Sequence, residues 1–323
     1  MNILITSAGR RVSLVRSFQS EIKKTGLKVK VFAADASPIL SAACQVADAF
    51  FEVPHLDSPN YIDDLINLCL FHDISLVIPT IDTELLHLAK SKERFNVEGI
   101  EVVISSVEFV VKCRDKRLIH NFFLEHNVTV AKEYTKEDCE FPLFIKPFDG
   151  SRSVNTYIVR SRGELTEYHL NNTSLMFLEY LDHNEFNEYT CDLYYSRDHK
   201  LKCVVPRKRI EVRDGEVYKA LTDRCYLNSF IKENFSYIEG AVGCLTSQFF
   251  VHKRNDKKIY GIEINPRFGG GYPLTYLSGA NFSQWIIEEY LLGNTIDDKF
   301  DVWESDLLMI RYDDEVLVHG YKG

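Results

Sequence analysis

The sequence predicts an α/β protein that begins with a parallel, doubly wound sheet and continues into antiparallel strands. Two observations predict this class. Short apolar runs alternate with helical segments through the first 110 residues, a spacing typical of parallel strands joined by crossover helices. Beyond residue 110 the strand-like runs follow one another more directly, and between residues 187 and 218 they are spaced like antiparallel neighbours.

The elements of the first part can be assigned in chain order. Strands are predicted over 2–8, 28–35, 75–80 and 101–105, and helices over 12–26, 60–73 and 82–95. A parallel sheet of this kind binds ligands at the carboxyl ends of its strands. The relevant loops here follow Ile5, Phe32 and Ile78.

The second part begins with a predicted helix and is otherwise mostly strands. The helices are predicted over 113–128, 236–245 and 282–293. Residues 141–159 have the pattern of strand, polar loop and strand. Further strands are predicted over 174–181, 188–196, 200–212, 216–221, 246–253 and 257–265.

Composition argues against several classes of function. The 323 residues carry a formal net charge of −9 and no long basic block, which argues against nucleic acid or an anionic membrane as partner. Eight cysteines without a CxxC pair and ten histidines without HExxH spacing give no disulfide or zinc framework. With no signal-peptide pattern and no apolar run of membrane-spanning length, we expect a cytoplasmic protein.

The stretch "IYGIEINPRFGGG" combines a strand with an unusual ending. Glu263 and Asn265 are two residues apart, so their side chains share one face of the strand. Pro266 ends the ladder, and the three glycines allow the backbone to approach another group closely. A hard cation that prefers oxygen ligands is the candidate for that group.

Several such stretches occur in an order that resembles the ATP-grasp superfamily, most closely the ATP-grasp units of the carbamoyl-phosphate synthetase large subunit. The resemblance covers essentially the whole chain and is strongest in "FIKPFDGSRS", "FLEYL" with "NEYTCD", and "GIEINPRFGGG". It implies a Rossmann-like domain over 1–110. A linker helix and a small lid subdomain over 111–180 would follow, and then a larger antiparallel C-terminal subdomain over 181–323 with the metal and phosphate site.

The resemblance also implies a nucleotide site. Lys116 and Lys146 would contact the ATP phosphates, and Arg152 would add charge to a lid loop that has fewer glycines than its relatives, unless that loop is simply stiffer. Glu179 would accept a hydrogen bond from the adenine amino group beside the backbone of Tyr180 and Leu181. Glu188 would bind the ribose; without the resemblance, this acidic loop would be expected to face solvent.

Magnesium and substrate residues are implied in the same way. Gln248, Glu263 and Asn265 would bind Mg²⁺, and Arg267, Lys146 and Asn265 would act in catalysis. Arg207 and Arg209 share one strand face and would hold phosphate or an acidic substrate, or else they protect an exposed edge strand. Asp82 and Glu84 are candidates for substrate binding, although Asp82 is equally suited to cap a helix.

The function implied is an ADP-forming carboxylate–amine ligase that uses ATP with Mg²⁺, or Mn²⁺, and an acyl-phosphate intermediate. Its partners would be a small carboxylate and an amine, and the protein would be a homodimer. One alternative is a nucleotide-responsive regulatory protein without turnover. Another is an NAD(P)-dependent enzyme using residues 1–110, where Asp35 has the position of a ribose acceptor but the GxGxxG fingerprint is missing.

Overall fold

The computed structural model describes residues 1–150, 154–213 and 215–321, which form three β-sheets and their flanking helices. The first sheet is parallel and has five strands in the order β3-β2-β1-β4-β5. Its elements are β1 (Asn2–Ile5), α1 (Val12–Thr25), β2 (Val31–Asp35), α2 (Ala42–Val46), β3 (Ala49–Glu52), α3 (Tyr61–Phe71), β4 (Ile74–Ile78), α4 (Asp82–Val97) and β5 (Glu101–Val102).

The central strand β1 explains why the strands of this sheet are short apolar runs in the sequence. Ile3 and Ile5 pack into the core on one face of the sheet, and Leu4 packs into the core on the other. A strand buried on both faces has no polar alternation, as expected for a doubly wound parallel sheet.

The strand order reverses at β1, which lies between β2 and β4. Such a reversal leaves a crevice at the carboxyl ends of the two diverging strands, the usual ligand position in this class of sheet. Asp35, at the end of β2, accepts hydrogen bonds from the N–H groups of Gly9 (2.9 Å) and Ser37 (3.1 Å). Asp35 therefore holds the loop after β1 against the end of β2.

The second sheet is small, antiparallel and ordered β6-β9-β7-β8; we call it the lid sheet. Its region contains α5 (Val107–Arg114), α6 (Lys116–Glu125), β6 (Glu133–Tyr134), β7 (Leu143–Pro147), β8 (Tyr157–Val159), α7 (Glu167–Asn171) and β9 (Leu175–Glu179). The single helix predicted over 113–128 is wrong, because Asp115 has extended backbone and its carboxylate caps α6 by accepting the Arg117 N–H.

The third sheet is antiparallel and has six strands in the order β14-β13-β10-β11-β12-β15. Its elements are β10 (Phe186–Tyr195), β11 (Leu201–Arg213), β12 (Glu216–Thr222), α8 (Tyr226–Asn234), β13 (Gly243–His252), β14 (Asn255–Asn265), α9 (Tyr272–Leu277), α10 (Phe282–Ile286, continued by a π-helical turn Ile287–Leu291) and β15 (Leu308–Ile310).

The helix predicted over 236–245 is also wrong, since α8 lies before that stretch. Gly240 and Gly243 both have positive φ, which interrupts a helix. An added Cβ at Gly240 would lie 2.2 Å from the Ser106 hydroxyl oxygen, and one at Gly243 would lie 2.6 Å from a Val103 methyl carbon. The segment is therefore a tight connection packed on the N-terminal region.

The predicted fold class is confirmed by these three sheets. Tyr194, Val205 and Cys244 of the third sheet lie in one hydrophobic cluster with Ile3 and Phe18, so the parallel sheet and the large antiparallel sheet share a core. That core joins one face of the parallel sheet, with its helices, to the antiparallel sheet. The domain boundaries at residues 110 and 180 stay a prediction.

Candidate active site

One face of the six-stranded sheet brings together six of the predicted site residues. Thr190 on β10 lies opposite Gln248 on β13 and Arg207 on β11, and Gln248 lies opposite Glu263 on β14. Directly opposed residues of antiparallel strands point to the same face. The predicted residues that share it are Glu188, Arg207, Arg209, Gln248, Glu263 and Asn265.

Glu263 and Asn265 are neighbours on this face, as their spacing predicts. The Asn265 side-chain amide donates a hydrogen bond to Glu263 Oε1 at 3.0 Å. The second carboxylate oxygen, Oε2, lies 4.0 Å from Lys116 Nζ. About a quarter of the Glu263 side chain stays exposed, so the carboxylate is open to a ligand.

Lys116 joins the sheet to the lid region. As the first residue of α6 it donates its backbone N–H to the Phe148 carbonyl at 2.8 Å, and its Nζ donates to the Gly150 carbonyl. Both acceptors belong to the turn that follows β7. Lys116 therefore connects that turn to Glu263. The spacing of these residues in the sequence did not predict this contact.

Lys146 on β7 is almost completely buried and adds a second positive charge. Burial lowers the pKa of Lys146 to about 8, with Lys116 adding to the decrease and Glu263 opposing it. The Glu263 carboxylate thus interacts electrostatically with two lysines, Lys116 and Lys146.

His120 is a member of this cluster that the sequence reasoning missed. It is buried on α6, and its burial together with Lys146 and Lys116 lowers the pKa of its imidazole to about 4. His120 is four residues after Lys116 and so lies on the same helix face. That spacing was the signal available in the sequence.

Glu179 ends β9, at the expected hinge. Its backbone N–H donates to the Lys132 carbonyl (2.8 Å), and its carboxylate accepts the Lys132 N–H at 3.3 Å. The Tyr180 N–H donates to the Pro142 carbonyl at 3.4 Å, while Leu181 is buried among apolar side chains from the lid sheet and the large sheet. An apolar cluster with one carboxylate at its end is therefore present at the hinge.

Arg207 and Arg209 differ in spite of their shared face. Arg209 forms an ion pair with Glu188 and keeps some exposure. Arg207 is 1% exposed, pairs with Asp192 at 2.8 Å, and lies so close under Gly271 that an added Cβ there would be 1.8 Å from its Nη1. Its predicted role in direct substrate binding is wrong, because the loop seals it from solvent.

The glycine triplet of the sequence has a different explanation from the one predicted. A Cβ at Gly269 would lie 2.8 Å from the Thr246 hydroxyl oxygen, just as one at Gly271 would meet Arg207. The groups that the backbone approaches are therefore buried protein side chains beneath the loop, and no cation is needed to account for these glycines.

Arg267 faces the N-terminal region. Its guanidinium donates to Asp82 at 2.7 Å, and although burial opposes the charge, Asp82 more than offsets this and raises the pKa of Arg267. Asp82 is the first residue of α4, whose N-cap is Ile81, so the alternative that Asp82 caps the helix is not what the structure shows. The crevice of the parallel sheet thus opens toward Arg267.

Glu84 does not reach this crevice. It is fully buried and accepts a hydrogen bond from the Tyr61 hydroxyl at 2.6 Å, and burial raises the pKa of its carboxyl. The predicted contact with substrate is wrong for this residue, because the helix turns its side chain into the core. Arg152, expected to contact phosphate, lies outside the described residues.

Two known family models match parts of this chain. Residues 171–309 match the model described as ATP-grasp in the biosynthetic pathway with Ter operon, and residues 3–103 match the PylC-like N-terminal domain. Residues 171–309 are therefore an ATP-grasp region. The resemblance stated from the sequence is thereby confirmed at the level of the superfamily. A search of curated protein sequences gives no significant match.

Solved structures share the fold of this ATP-grasp protein. The biotin carboxylase domain dimer of Hydrogenobacter thermophilus 2-oxoglutarate carboxylase, in complex with MgADP, ADP and bicarbonate, matches with a TM-score of 0.73 and 13% identity, over 95% of this chain and 73% of that one. An L-amino acid ligase from Bacillus licheniformis matches with a TM-score of 0.66 and 17% identity, over 90% and 74%.

A third match is to a much longer enzyme. Rhizobium etli pyruvate carboxylase matches with a TM-score of 0.70 and 14% identity, over 95% of this chain. This chain spans only 30% of that enzyme's length. At 13–17% identity, these three matches show a shared fold.

The described residues contain neither a cluster of acidic, histidine or cysteine metal ligands nor a membrane-spanning helix. Among residues 1–150, 154–213 and 215–321, no three His, Cys, Asp or Glu side chains are grouped as a metal site. Glu263 is the one carboxylate in the predicted set, whose other members are amides. Within the same ranges, every helix is too short or too polar to cross a membrane.

Proposed function

We propose that this ATP-grasp protein is an ADP-forming carboxylate–amine ligase. The observation that supports this best is the position of Lys116, which bonds to the Gly150 carbonyl of the lid turn while lying 4.0 Å from Glu263. A basic side chain between a closing turn and an open carboxylate is suited to a nucleotide triphosphate with its metal. Lys146 supplies the second charge for the phosphates.

The base and sugar of ATP would bind at the hinge. Glu179 offers a carboxylate acceptor for the adenine amino group, and the apolar cluster that contains Leu181 provides a surface for the ring. Since the Tyr180 N–H is bonded to Pro142, the backbone donor for the ring is assigned to Leu181. Glu188 would bind the ribose and in doing so exchange its Arg209 partner for a hydroxyl.

The residues on the sheet face fit a magnesium ion. Glu263, Asn265 and Gln248 offer only oxygen donors, and Asn265 points its amide nitrogen at Glu263, so its oxygen is free. Mg²⁺ accepts few protein ligands and completes its shell with phosphate oxygens and water, so one carboxylate and two amides suffice. When bound, Mg²⁺ (or Mn²⁺) would neutralise charge on the triphosphate.

The proposed reaction has two steps. An oxygen of the substrate carboxylate attacks the γ-phosphorus, the bond to the bridging oxygen breaks, and ADP leaves with that electron pair. The amine nitrogen then attacks the carbonyl carbon of the acyl phosphate, phosphate departs, and the nitrogen loses a proton to give the amide. Arg267 and Lys146 stabilise the charge that develops, and the chain supplies no covalent nucleophile.

The likeness to an L-amino acid ligase supports the choice of a carboxylate and an amine as substrates. The proposal includes a cytoplasmic location and a homodimer, as predicted from the sequence. The alternative, a nucleotide-responsive protein without turnover, makes an opposite prediction for the same experiment.

The experiment is an ATP turnover assay with magnesium against pools of carboxylic acids and amines, with ADP, AMP and phosphate measured by mass spectrometry. We expect ADP and phosphate to be released in equal amounts only when an acid and an amine are both present. AMP and pyrophosphate would contradict the mechanism. Tight ATP binding without turnover in any pool would favour the regulatory alternative.

A further inference from the structure

Arg11 is a charged side chain that the proposed reaction does not use. It lies in the loop after β1 and is only partly exposed. The one hydrogen bond of its side chain to the described residues goes to the Thr80 carbonyl at 3.4 Å, and no carboxylate of those residues lies within ion-pair distance. A partly buried guanidinium without an anionic partner is costly, which points to a ligand.

The surroundings of Arg11 are rich in positive charge. Arg267 is paired with Asp82, and Arg311, after β15, is paired with Glu216 at 3.1 Å. Burial and the neighbouring Arg267 lower the pKa of Arg11 to about 10, while Glu216 and Asp82 oppose this. The short contacts of the two carboxylates are therefore made by Arg267 and Arg311, while Arg11 interacts with Glu216 and Asp82 only at longer range and has no ion pair of its own.

The loop that carries Arg11 is held in place before any ligand arrives. The Gly9 N–H bonds to Asp35, and the Gly9 carbonyl accepts the Ser41 hydroxyl at 2.9 Å. The Thr80 hydroxyl donates to the Ser7 carbonyl at 2.7 Å. Binding to such a loop costs little conformational entropy.

Arg11 also lies at the right place to meet the substrate. It follows β1, and Thr80 and Asp82 follow β4, so these residues border the crevice where the strand order reverses. An added Cβ at Gly270 would be 3.6 Å from Arg11 Nη1, and the Gly270 carbonyl accepts a bond from Arg311. The crevice therefore opens onto the loop that follows Arg267.

We infer that Arg11, assisted by Arg311, binds a second anionic group of the substrate, at the end away from the carboxylate that is phosphorylated. The inference rests on the proposed function and narrows its substrate to an acid with two anionic groups. The second group is a carboxylate or a phosphate ester, because the arginine fork suits both.

The test measures binding to the full-length protein saturated with magnesium and a non-hydrolysable ATP analogue. Two pairs of probes are used: glutarate with pentanoate, and 3-phosphoglycerate with glycerate. In the wild type, the member of a pair with the extra anionic group should bind about tenfold or more tightly than its partner, the value of one charge-assisted hydrogen bond. The pair that shows this preference identifies the group as carboxylate or phosphate.

Variants connect the preference to the residue. In Arg11→Gln the preference should fall to about twofold or less, and in Arg11→Lys it should be partly kept, since the charge remains. Arg16→Gln is the matched control, because Arg16 is exposed on α1 in the next turn. If a folded Arg11→Gln protein kept the full preference for the probe with the extra anionic group, the inference would be overturned. It would also be overturned if the two members of each probe pair bound the wild type equally, or if neither member bound.

The assay separates this inference from the proposed function because it needs no turnover. Preference for a doubly anionic acid that depends on Arg11, with no ADP formed from any acid and amine, would support the site and contradict the ligase. Release of ADP with a monocarboxylate, at a rate unaffected in Arg11→Gln, would support the ligase and contradict the site.

Discussion

The polar face of the six-stranded sheet has two halves that differ in how they are covered. In the covered half, Arg207 pairs with Asp192, and Asp192 also accepts hydrogen bonds from the hydroxyls of Thr246 (3.2 Å) and Thr275 (2.6 Å). All four side chains are at most 3% exposed. In the open half, Glu263 contacts Asn265 and lies 4.0 Å from Lys116, and it keeps about a quarter of its surface exposed.

The two halves contain similar residue types, so residue type does not decide which is structural. The loop 269–271 and helix α9 lie over Asp192 and Arg207, whereas the turn after β7 reaches the open half only through Lys116. The sealed pair depends on protein partners alone, and Nε and Nη1 of Arg207 have no hydrogen-bond partner among the described residues, while an exposed carboxylate can exchange its partner for a ligand. The five predictions below test this distinction.

The largest effect on stability is expected for Asp192→Ala, which leaves Arg207 buried without a counter-charge. We expect the free energy of unfolding to fall by about 3–5 kcal/mol in urea titrations, the usual cost of an uncompensated buried charge. Asp256→Asn, at the exposed end of β14, is the control and should change stability little. A loss as small as that of the control would mean that the covered half is not a structural unit.

In the open half, we expect a substitution to affect turnover more than stability. Glu263→Gln keeps the size of the side chain but removes the only carboxylate of the proposed metal set, and we expect turnover to fall by about 10²–10³-fold. The free energy of unfolding should fall by no more than about 1–2 kcal/mol, because Lys116 and Lys146 lose this carboxylate but Lys146, with a pKa of about 8, can release its proton. Wild-type turnover in this variant would remove the metal assignment.

Gly271→Ala tests how tightly the loop covers Arg207. The backbone of Gly271 has ordinary φ, so the strain comes only from the new Cβ, which must displace Arg207 Nη1. We expect a loss of about 1–3 kcal/mol in the free energy of unfolding. Gly163→Ala is the matched control, because an added Cβ there has no neighbour within 4 Å.

Nucleotide affinity should depend on pH through Lys146. The pKa of Lys146 is lowered to about 8 by burial, so its charge is present below this pH and is lost above it. We expect the Kd for ADP to rise by about tenfold between about pH 7 and about pH 9. Lys146→Arg should remove this dependence because arginine stays charged; an unchanged profile in that variant would assign the titration to another group.

An effect of similar size on nucleotide affinity is expected for Glu179, at the end of β9. Glu179→Ala removes a single hydrogen-bond acceptor, so ATP affinity should fall by about tenfold in equilibrium binding. Glu185→Gln, exposed in the following loop, is the control. Affinity equal to that of the wild type would contradict the assignment of Glu179 to adenine.

Local patterns predicted much of the fold. The alternation of strands and helices over the first 110 residues identified the parallel sheet, because buried strands and crossover helices leave distinct apolar periods. The two wrongly predicted helices also result from local structure. The break at Asp115 and the segment around Gly240 and Gly243 depend on a cap and on close packing, which the apolar pattern does not record.

For the site, the sequence by itself determined that Glu263 and Asn265 share one strand face, because alternation along a strand is fixed by backbone geometry. It could not determine that Arg207 is sealed while Glu263 is open, or that Arg267 meets Asp82 from 185 residues away. Those outcomes depend on which loop covers which part of the sheet. That is a property of tertiary packing, since burial, and with it the pKa and the available partners of each charge, is set by neighbours distant in the chain.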